Sequence, residues 1–217
     1  MGFRKQKESL IVFANPVIAG RTKTRLSQEI GIKSALELYK SFLINLSDIA
    51  ANIYKRRKSV SLIAEWSIDT MEELTSFPLS EWLPGPFLHR KQYGRNLGER
   101  MISSLGRRIV YDSNAVLIGS DIPEIDEKTI VNSFEFLISK EDENSEKKTV
   151  IGPSEDGGFY LIGMNRFNNC IFNETDWDSE ETFKSVTNNL RSKCFLMKFM
   201  SKKIDVDFIG DINKILS

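Results

Sequence analysis

The stretch LIVFANPVIAGRTKTRL, residues 10–26, decides the architecture. Its first five residues are apolar without interruption and are closed by Asn15 and Pro16. A strand with one wet face alternates apolar and polar side chains, so a short unbroken run predicts a strand buried on both faces. Such strands occur in parallel sheets covered by helices on each side. The polar segment that follows, with Gly20, Arg21, Lys23 and Arg25, is then the exit from the carboxyl end of that strand. In open parallel sheets, ligands bind beyond the carboxyl ends of strands.

The rest of the chain repeats this alternation. Apolar residues recur at spacings of three and four over 32–53, 97–109 and 130–138, which predicts three amphipathic helices with one face packed inward. Short apolar runs at 60–64, 87–92, 115–118, 150–151, 159–164 and 194–200 predict strands between and after them, and 179–193 reads as a further helix. The charge run EDENSEKK, 141–148, is expected to be a surface loop. Alternating strands and helices predict an α/β fold with a mostly parallel central sheet and helices on both faces. With 217 residues, no internal repeat and no Pro/Gly/Ser linker, one domain is expected over 1–217. Neither GxGxxG nor GxxxxGK[ST] occurs, so a nucleotide would be held without the two best-known phosphate fingerprints.

Composition narrows the partners. Thirty basic residues balance thirty acidic ones, which argues against a nucleic-acid partner. A content of 41% hydrophobic residues, with fourteen Phe, suffices for a core. Cys170 and Cys194 form no CxxC pair and lie far from His89, so no zinc site is expected and both thiols read as idle in a reducing cytoplasm. The run 10–14 is too short for the ~7–15 residues of a signal-peptide core, and nothing approaches the ~20 apolar residues of a membrane span. A cytoplasmic protein without a membrane span is expected, its oligomeric state unspecified.

Four strand ends carry candidate chemistry. After the first strand, Arg21, Lys23 and Arg25 suit a diphosphate cradle or, equally, a solvated helix start. Asp121, in GSDIP, suits Mg²⁺ or Mn²⁺, hard cations that take oxygen ligands, or a helix N-cap. In SEDGGFY, residues 154–160, Gly157 and Gly158 follow Glu155 and Asp156. An acid in such a turn can deprotonate a hydroxyl or complete a metal site, and Asp-Gly is also a hairpin signal. Asp205 and Asp207 alternate with Ile204 and Val206, and Asp207 reads as a second metal ligand or a cap for the last helix. His89 reads as a packing or surface residue, and Trp177 as either a stacking platform or a core or rim side chain.

Together, IVFANPVIAGRTKTRL, LGERM, LIGSDIP, IGPSEDGGFYLIGM, TDWDSEETF and DVD resemble one family along nearly the whole chain. The sequence is similar to the small bacterial glycosyltransferase-like proteins often labelled radical-SAM/selenodomain-associated transferases, some of which are assigned to arsenosugar biosynthesis. The resemblance rests most on Lys23 to Leu26 and on Glu155 to Gly158. It implies a GT-A-like nucleotide-diphospho-sugar transferase fold, with 9–120 as a nucleotide-binding half and 121–217 as an acceptor half. It implies that Ala14, Gly20, Arg21, Lys23 and Arg25 contact the nucleotide, that Asp121 binds the metal, and that Glu155 and Asp156 lie at the acceptor side. On that resemblance, Gly157 and Gly158 keep room for the sugar. Asn15 stands where a lysine is usual, Asn96 where an aspartate precedes LGERM, Ile122 where a cysteine is common, and Asp178 where a small hydroxyl residue follows the tryptophan.

The expected activity is metal-dependent transfer of a sugar from a nucleotide-sugar donor to a small acceptor. Asp156 is the first choice of base, with Glu155 beside it, and Asp121 and Asp207 are the metal ligands. Two alternatives stay open: transfer of a nucleotidyl group from a nucleoside triphosphate to a phosphorylated small molecule, and a catalytically idle nucleotide-binding member.

Overall fold

The computed structural model describes residues 7–111, 114–139, 147–177 and 179–216. The chain opens with β1 (Glu8–Ala14), α1 (Thr24–Ile30) and α2 (Ile32–Arg56), followed by β2 (Val60–Trp66), α3 (Glu73–Ser76), α4 (Leu79–Trp82) and β3 (Leu88–Lys91). It continues with α5 (Leu97–Tyr111), β4 (Asn114–Gly119), α6 (Glu127–Ile138), β5 (Lys148–Pro153) and β6 (Phe159–Met164). A 3-10 turn at Asn169–Phe172, α7 (Thr182–Ser192), β7 (Leu196–Phe199) and α8 (Ile209–Leu216) complete it.

The seven strands form one sheet in the order β3-β2-β1-β4-β6-β5-β7. All pairs are parallel except β4 with β6 and β5 with β6. As the unbroken run 10–14 predicts, β1 is buried along its whole length between β2 and β4. Successive side chains of a strand face opposite sides. Leu10, Val12 and Ala14 therefore join Tyr39, Leu43 and Phe134 of α2 and α6, while Ile11 and Phe13 join Met101, Leu105 and Val186 of α5 and α7. At about 25 cal/mol per Å² of buried apolar surface, this double layer is the main stabilising contribution to the fold.

The helices follow the spacing that predicted them. In α2, Ala35, Tyr39, Phe42, Leu43, Leu46, Ala50 and Ile53 form the buried stripe. The segment Thr24–Ile30 is a helix in its own right, set off from α2 at Gly31, whose φ of 84° favours glycine. The short helices α3 and α4 were unassigned by periodicity, since four residues are too few to show a period. Most of the charge run 141–148 lies outside the described residues; at its end Lys148 is not loop but the first residue of β5. Asp-Gly at 156–157 does form a hairpin, joining β5 to the antiparallel β6. Asp126, not Asp121, caps α6, its carboxylate accepting from Thr129 N at 2.6 Å. This leaves Asp121 free for other work.

Candidate functional site

A cavity of about 440 Å³ opens at the carboxyl ends of β1, β2 and β4, against the β5–β6 turn. Phe13, Ala14 and Asn15 contribute from β1 and its exit, Ser67 from the end of β2, and Gly119 and Asp121 from the end of β4. Tyr39, fully buried on α2, ties two of these ends together. Its hydroxyl accepts from Asn15 N at 2.9 Å and lies 3.1 Å from Asn15 O and 2.8 Å from Ser120 Oγ. Burial and the neighbouring Asp121 charge hold this phenol far above its ordinary pKa, so it stays protonated.

A cluster of charges borders the cavity. Lys23 adopts a left-handed conformation, φ 50°, immediately before α1. Its side chain is only 4% exposed, with the ammonium 2.5 Å from Asp121 Oδ1, 3.6 Å from Asp207 Oδ1 and 3.7 Å from Asp205 Oδ1. It also donates to Val206 O at 2.7 Å. Burial disfavours the ammonium, yet Asp121 and Asp205 outweigh burial and raise its pKa. Asp205 is pushed up to about 8, by burial first and then by the Asp121 carboxylate, with Lys23 opposing. Three acids crowd one buried cation.

The donor set suits a hard divalent ion. Asp121 and Asp205 both line the cavity, and Asp205 Oδ1 is a buried oxygen without a hydrogen-bond partner among the described residues. Lys23, outside the cavity lining, already holds its ammonium against both carboxylates. Among the described residues no group of three His, Cys, Asp or Glu could hold an ion by itself. Mg²⁺ commonly takes only one or two carboxylates and completes its shell with phosphate and water. Asp207, expected as the second metal ligand, shares its carboxylate: Oδ2 accepts from Arg25 Nη1 at 2.8 Å, Oδ1 lies 3.6 Å from Lys23 Nζ, and the residue is outside the cavity lining.

The β5–β6 turn forms the facing wall. Asp156 lines the cavity; its Oδ1 accepts from Gly158 N at 3.0 Å and from Ser154 Oγ. Its Oδ2 has no hydrogen-bond partner among the described residues. Glu155, expected beside it, points elsewhere: its carboxylate lies 3.5 Å from Lys214 Nζ and its N–H donates to Lys203 O, outside the cavity lining. Gly157 makes room for protein and not for a sugar, since a Cβ there would stand 2.4 Å from Glu180 Cα and its φ is 88°. Phe183 N donates to Gly157 O at 2.9 Å, fastening the turn to the start of α7.

Trp177 lines the cavity and packs with Phe159 and Phe172, ring centroids 6.4 and 5.5 Å away. A Cβ on Gly98 would meet its ring at 2.6 Å, so the tryptophan rests flush on α5. Trp177 is thus a packing side chain at the cavity rim. His89 is a packing residue: Nδ1 accepts from Trp66 Nε1 at 2.9 Å.

The remaining predicted contacts divide. Ala14 and Arg25 line the cavity, whereas Gly20, Arg21 and Lys23 do not. Arg21 is drawn to Glu73 at 2.7 Å and Asp69 at 3.1 Å, acids in the segment after β2. Sequence reasoning passed over Tyr39, Arg100 and the facing of Asp205. Arg100 lines the cavity and donates to Ser67 Oγ at 3.0 Å and Gly94 O at 3.3 Å, with no carboxylate partner among the described residues. Its position in LGERM was the available signal.

Comparison with known proteins bears on this arrangement. The fold is that of the nucleotide-diphospho-sugar transferases. A crystal structure from Desulfovibrio desulfuricans G20, of a protein assigned as a nucleotide-diphospho-sugar transferase, superposes with a TM-score of 0.82 at 23% identity, over 97% of this chain and 86% of that one. CMP:2-keto-3-deoxy-manno-octonic acid synthetase complexed with CTP gives a TM-score of 0.51 at 10% identity, over 96% of each chain. A cytidylyltransferase from Leptospira borgpetersenii serovar Hardjo-bovis (strain JB197) gives 0.51 at 10% identity, over 97% of this chain and 85% of that one. These likenesses establish the fold alone. No curated protein matches the chain. Residues 59–179, more than half of the chain, match the family described as "Uncharacterized protein conserved in bacteria (DUF2064)", and the chain belongs to that family.

Proposed function

We propose that the protein is a transferase that moves a sugar from a nucleoside-diphosphate donor to a small acceptor. In this reading, residues 9–120 supply most of the donor side and 121–217 most of the acceptor side. The observation that carries it is one cavity in which the Asp121–Asp205 carboxylate pair faces Asp156 and an aromatic wall across the strand ends. Asp121 and Asp205 would hold Mg²⁺ or Mn²⁺, which when bound supplies neutralisation of the diphosphate leaving group. Arg25, largely exposed at the rim, is placed to meet phosphate oxygens. Asp156 Oδ1 is fixed by two donors, so Oδ2 is the oxygen that would take the proton of an acceptor hydroxyl. Trp177 offers an apolar face to the acceptor or the sugar ring.

Nucleotidyl transfer from a triphosphate is the second reading, supported by the cytidylyltransferase-like fold. The cations weigh against it. Among the described residues Arg25 and Arg100 are the basic residues that line the cavity, Arg25 itself paired with Asp207, a small complement for a triphosphate.

A thermal-shift screen against nucleoside diphosphates, triphosphates and sugar nucleotides, each with and without Mn²⁺ or Mg²⁺, tests the reading, because ligands of the native state raise its melting temperature. Metal-dependent stabilisation by a sugar nucleotide, followed by nucleoside diphosphate release, supports sugar transfer. Pyrophosphate release supports nucleotidyl transfer, and metal-dependent turnover of any donor excludes an idle binding role. Asp156→Asn should keep donor binding and lose turnover by about 10²-fold or more, the scale of a general base. Unchanged turnover would remove the role given to Asp156.

A further inference from the structure

We propose that Lys23 holds the cation position of the cavity in the free protein, so that a divalent cation enters by displacing its ammonium from Asp121 and Asp205. The inference rests on the proposed function only in assuming that a divalent cation uses this cavity.

The geometry is that of an internal counter-ion. The ammonium sits 2.5 Å from Asp121 and within 3.7 Å of Asp205 and Asp207. Three carboxylates surround one ammonium, and Arg25 offsets only Asp207 from the solvent side. Two half-buried carboxylates side by side without a cation would be costly, so the free protein needs Lys23 where it is. A divalent ion on the same two acids cannot share the position with an ammonium at such range, because like charges repel steeply away from bulk water. One cation must leave. The four-carbon lysine stem is flexible, and its ammonium can exchange carboxylate partners for phosphate oxygens. An anionic ligand that gives Lys23 a new partner thus removes the competitor for the ion. Metal and anion then bind with positive coupling, and the metal alone binds weakly.

The test is Mn²⁺ binding to the full chain without nucleotide, read by electron paramagnetic resonance of the free ion. Wild type is compared with Lys23→Met, Arg25→Met and Asp121→Asn. Displacement predicts that K23M binds Mn²⁺ at least about ten-fold tighter than wild type, R25M within about three-fold, and D121N at least about ten-fold weaker. R25M also removes one positive charge from the cluster, so an equal gain in R25M and K23M would mean general electrostatics and overturn the proposal. K23M binding no tighter than wild type, with D121N weakened, overturns the displacement and leaves the metal assignment standing. D121N binding Mn²⁺ like wild type overturns both. A second readout needs no variant to fold: Mg²⁺ titration of wild type followed by ¹⁵N resonances of the lysine ammonium groups. The Lys23 signal should move with saturation. Lys148, also buried and held by Ser139 O at 2.6 Å, should not. Saturable Mg²⁺ binding that leaves the Lys23 signal unmoved overturns the proposal.

Discussion

The two ends of the sheet each bury charge, and they do it in opposite ways. At the amino end, Glu8 is 2% exposed and receives the fork of Arg57, Nε to Oε2 and Nη2 to Oε1, both at 2.8 Å, with Ser59 Oγ at 3.1 Å. Arg57 reaches Glu135 with its remaining donor arm. Each polar atom has a partner, and the guanidinium geometry matches the carboxylate. At the carboxyl end, three acids crowd Lys23, and Asp205 Oδ1 is buried without a hydrogen bond among the described residues. The first cluster is complete without a visitor. The second is over-acidic and opens onto the cavity, where perturbed carboxylates mark candidate functional sites.

Removing Arg57 gives the largest expected effect. Arg57→Ala leaves Glu8 buried without its cation and should cost about 3–5 kcal/mol in urea unfolding, with Mn²⁺ affinity unchanged. At the other end, Asp121→Asn should lower turnover of the donor found by screening by about 10²-fold. Its unfolding free energy should change by less than about 1 kcal/mol, since it relieves like-charge crowding as it removes an ion pair. A loss in D121N as large as in the Arg57 variant would erase the distinction between the two ends.

A third acid sharpens the comparison. Glu65, 1% exposed on β2, has no well-formed hydrogen bond on either carboxylate oxygen among the described residues, with the Ser104 hydroxyl as a nearby influence. Burial raises its pKa, with Arg107 opposing. A carboxyl raised in the folded state contributes stability below its unfolded pKa and loses it as pH climbs through the folded value. Wild type should therefore lose this contribution as pH climbs from about 4 towards the folded value. Glu65→Met should be more stable at pH 8 by about 1 kcal/mol, with the difference vanishing near pH 4, as replacement of a poorly matched buried charge allows. Chemical denaturation at the two pH values reads it.

Much of the fold was legible because parallel strands buried on both faces read as apolar runs. Residues 10–14, 60–64 and 115–118 lie in β1, β2 and β4, and the period over 32–53 lies in α2. The insertion of β6 between β4 and β5 was not legible, because strand order depends on pairing between distant segments. In the site, Asp121 and Asp156 could be found from their places after strands. Asp205 and Asp207 could not be told apart, since period-two alternation gives both the same local face. What separates them is Arg25 on α1, which holds Asp207 Oδ2 at 2.8 Å outside the cavity lining, while Asp205 lines it. Arg21 and Arg25 looked equivalent as cations of one polar segment, until Glu73 and Asp69 in an unread segment claimed the first.

Tyr39 has one more consequence. Parallel strands share no backbone ladder beyond their ends, so the exits of β1 and β4 could splay apart. A single phenol rooted in the middle of α2 clips both, through Asn15 and Ser120, next door to Asp121. The width of the mouth is thereby gauged from behind, by a helix on the far side of the strands from Met101 and Trp177.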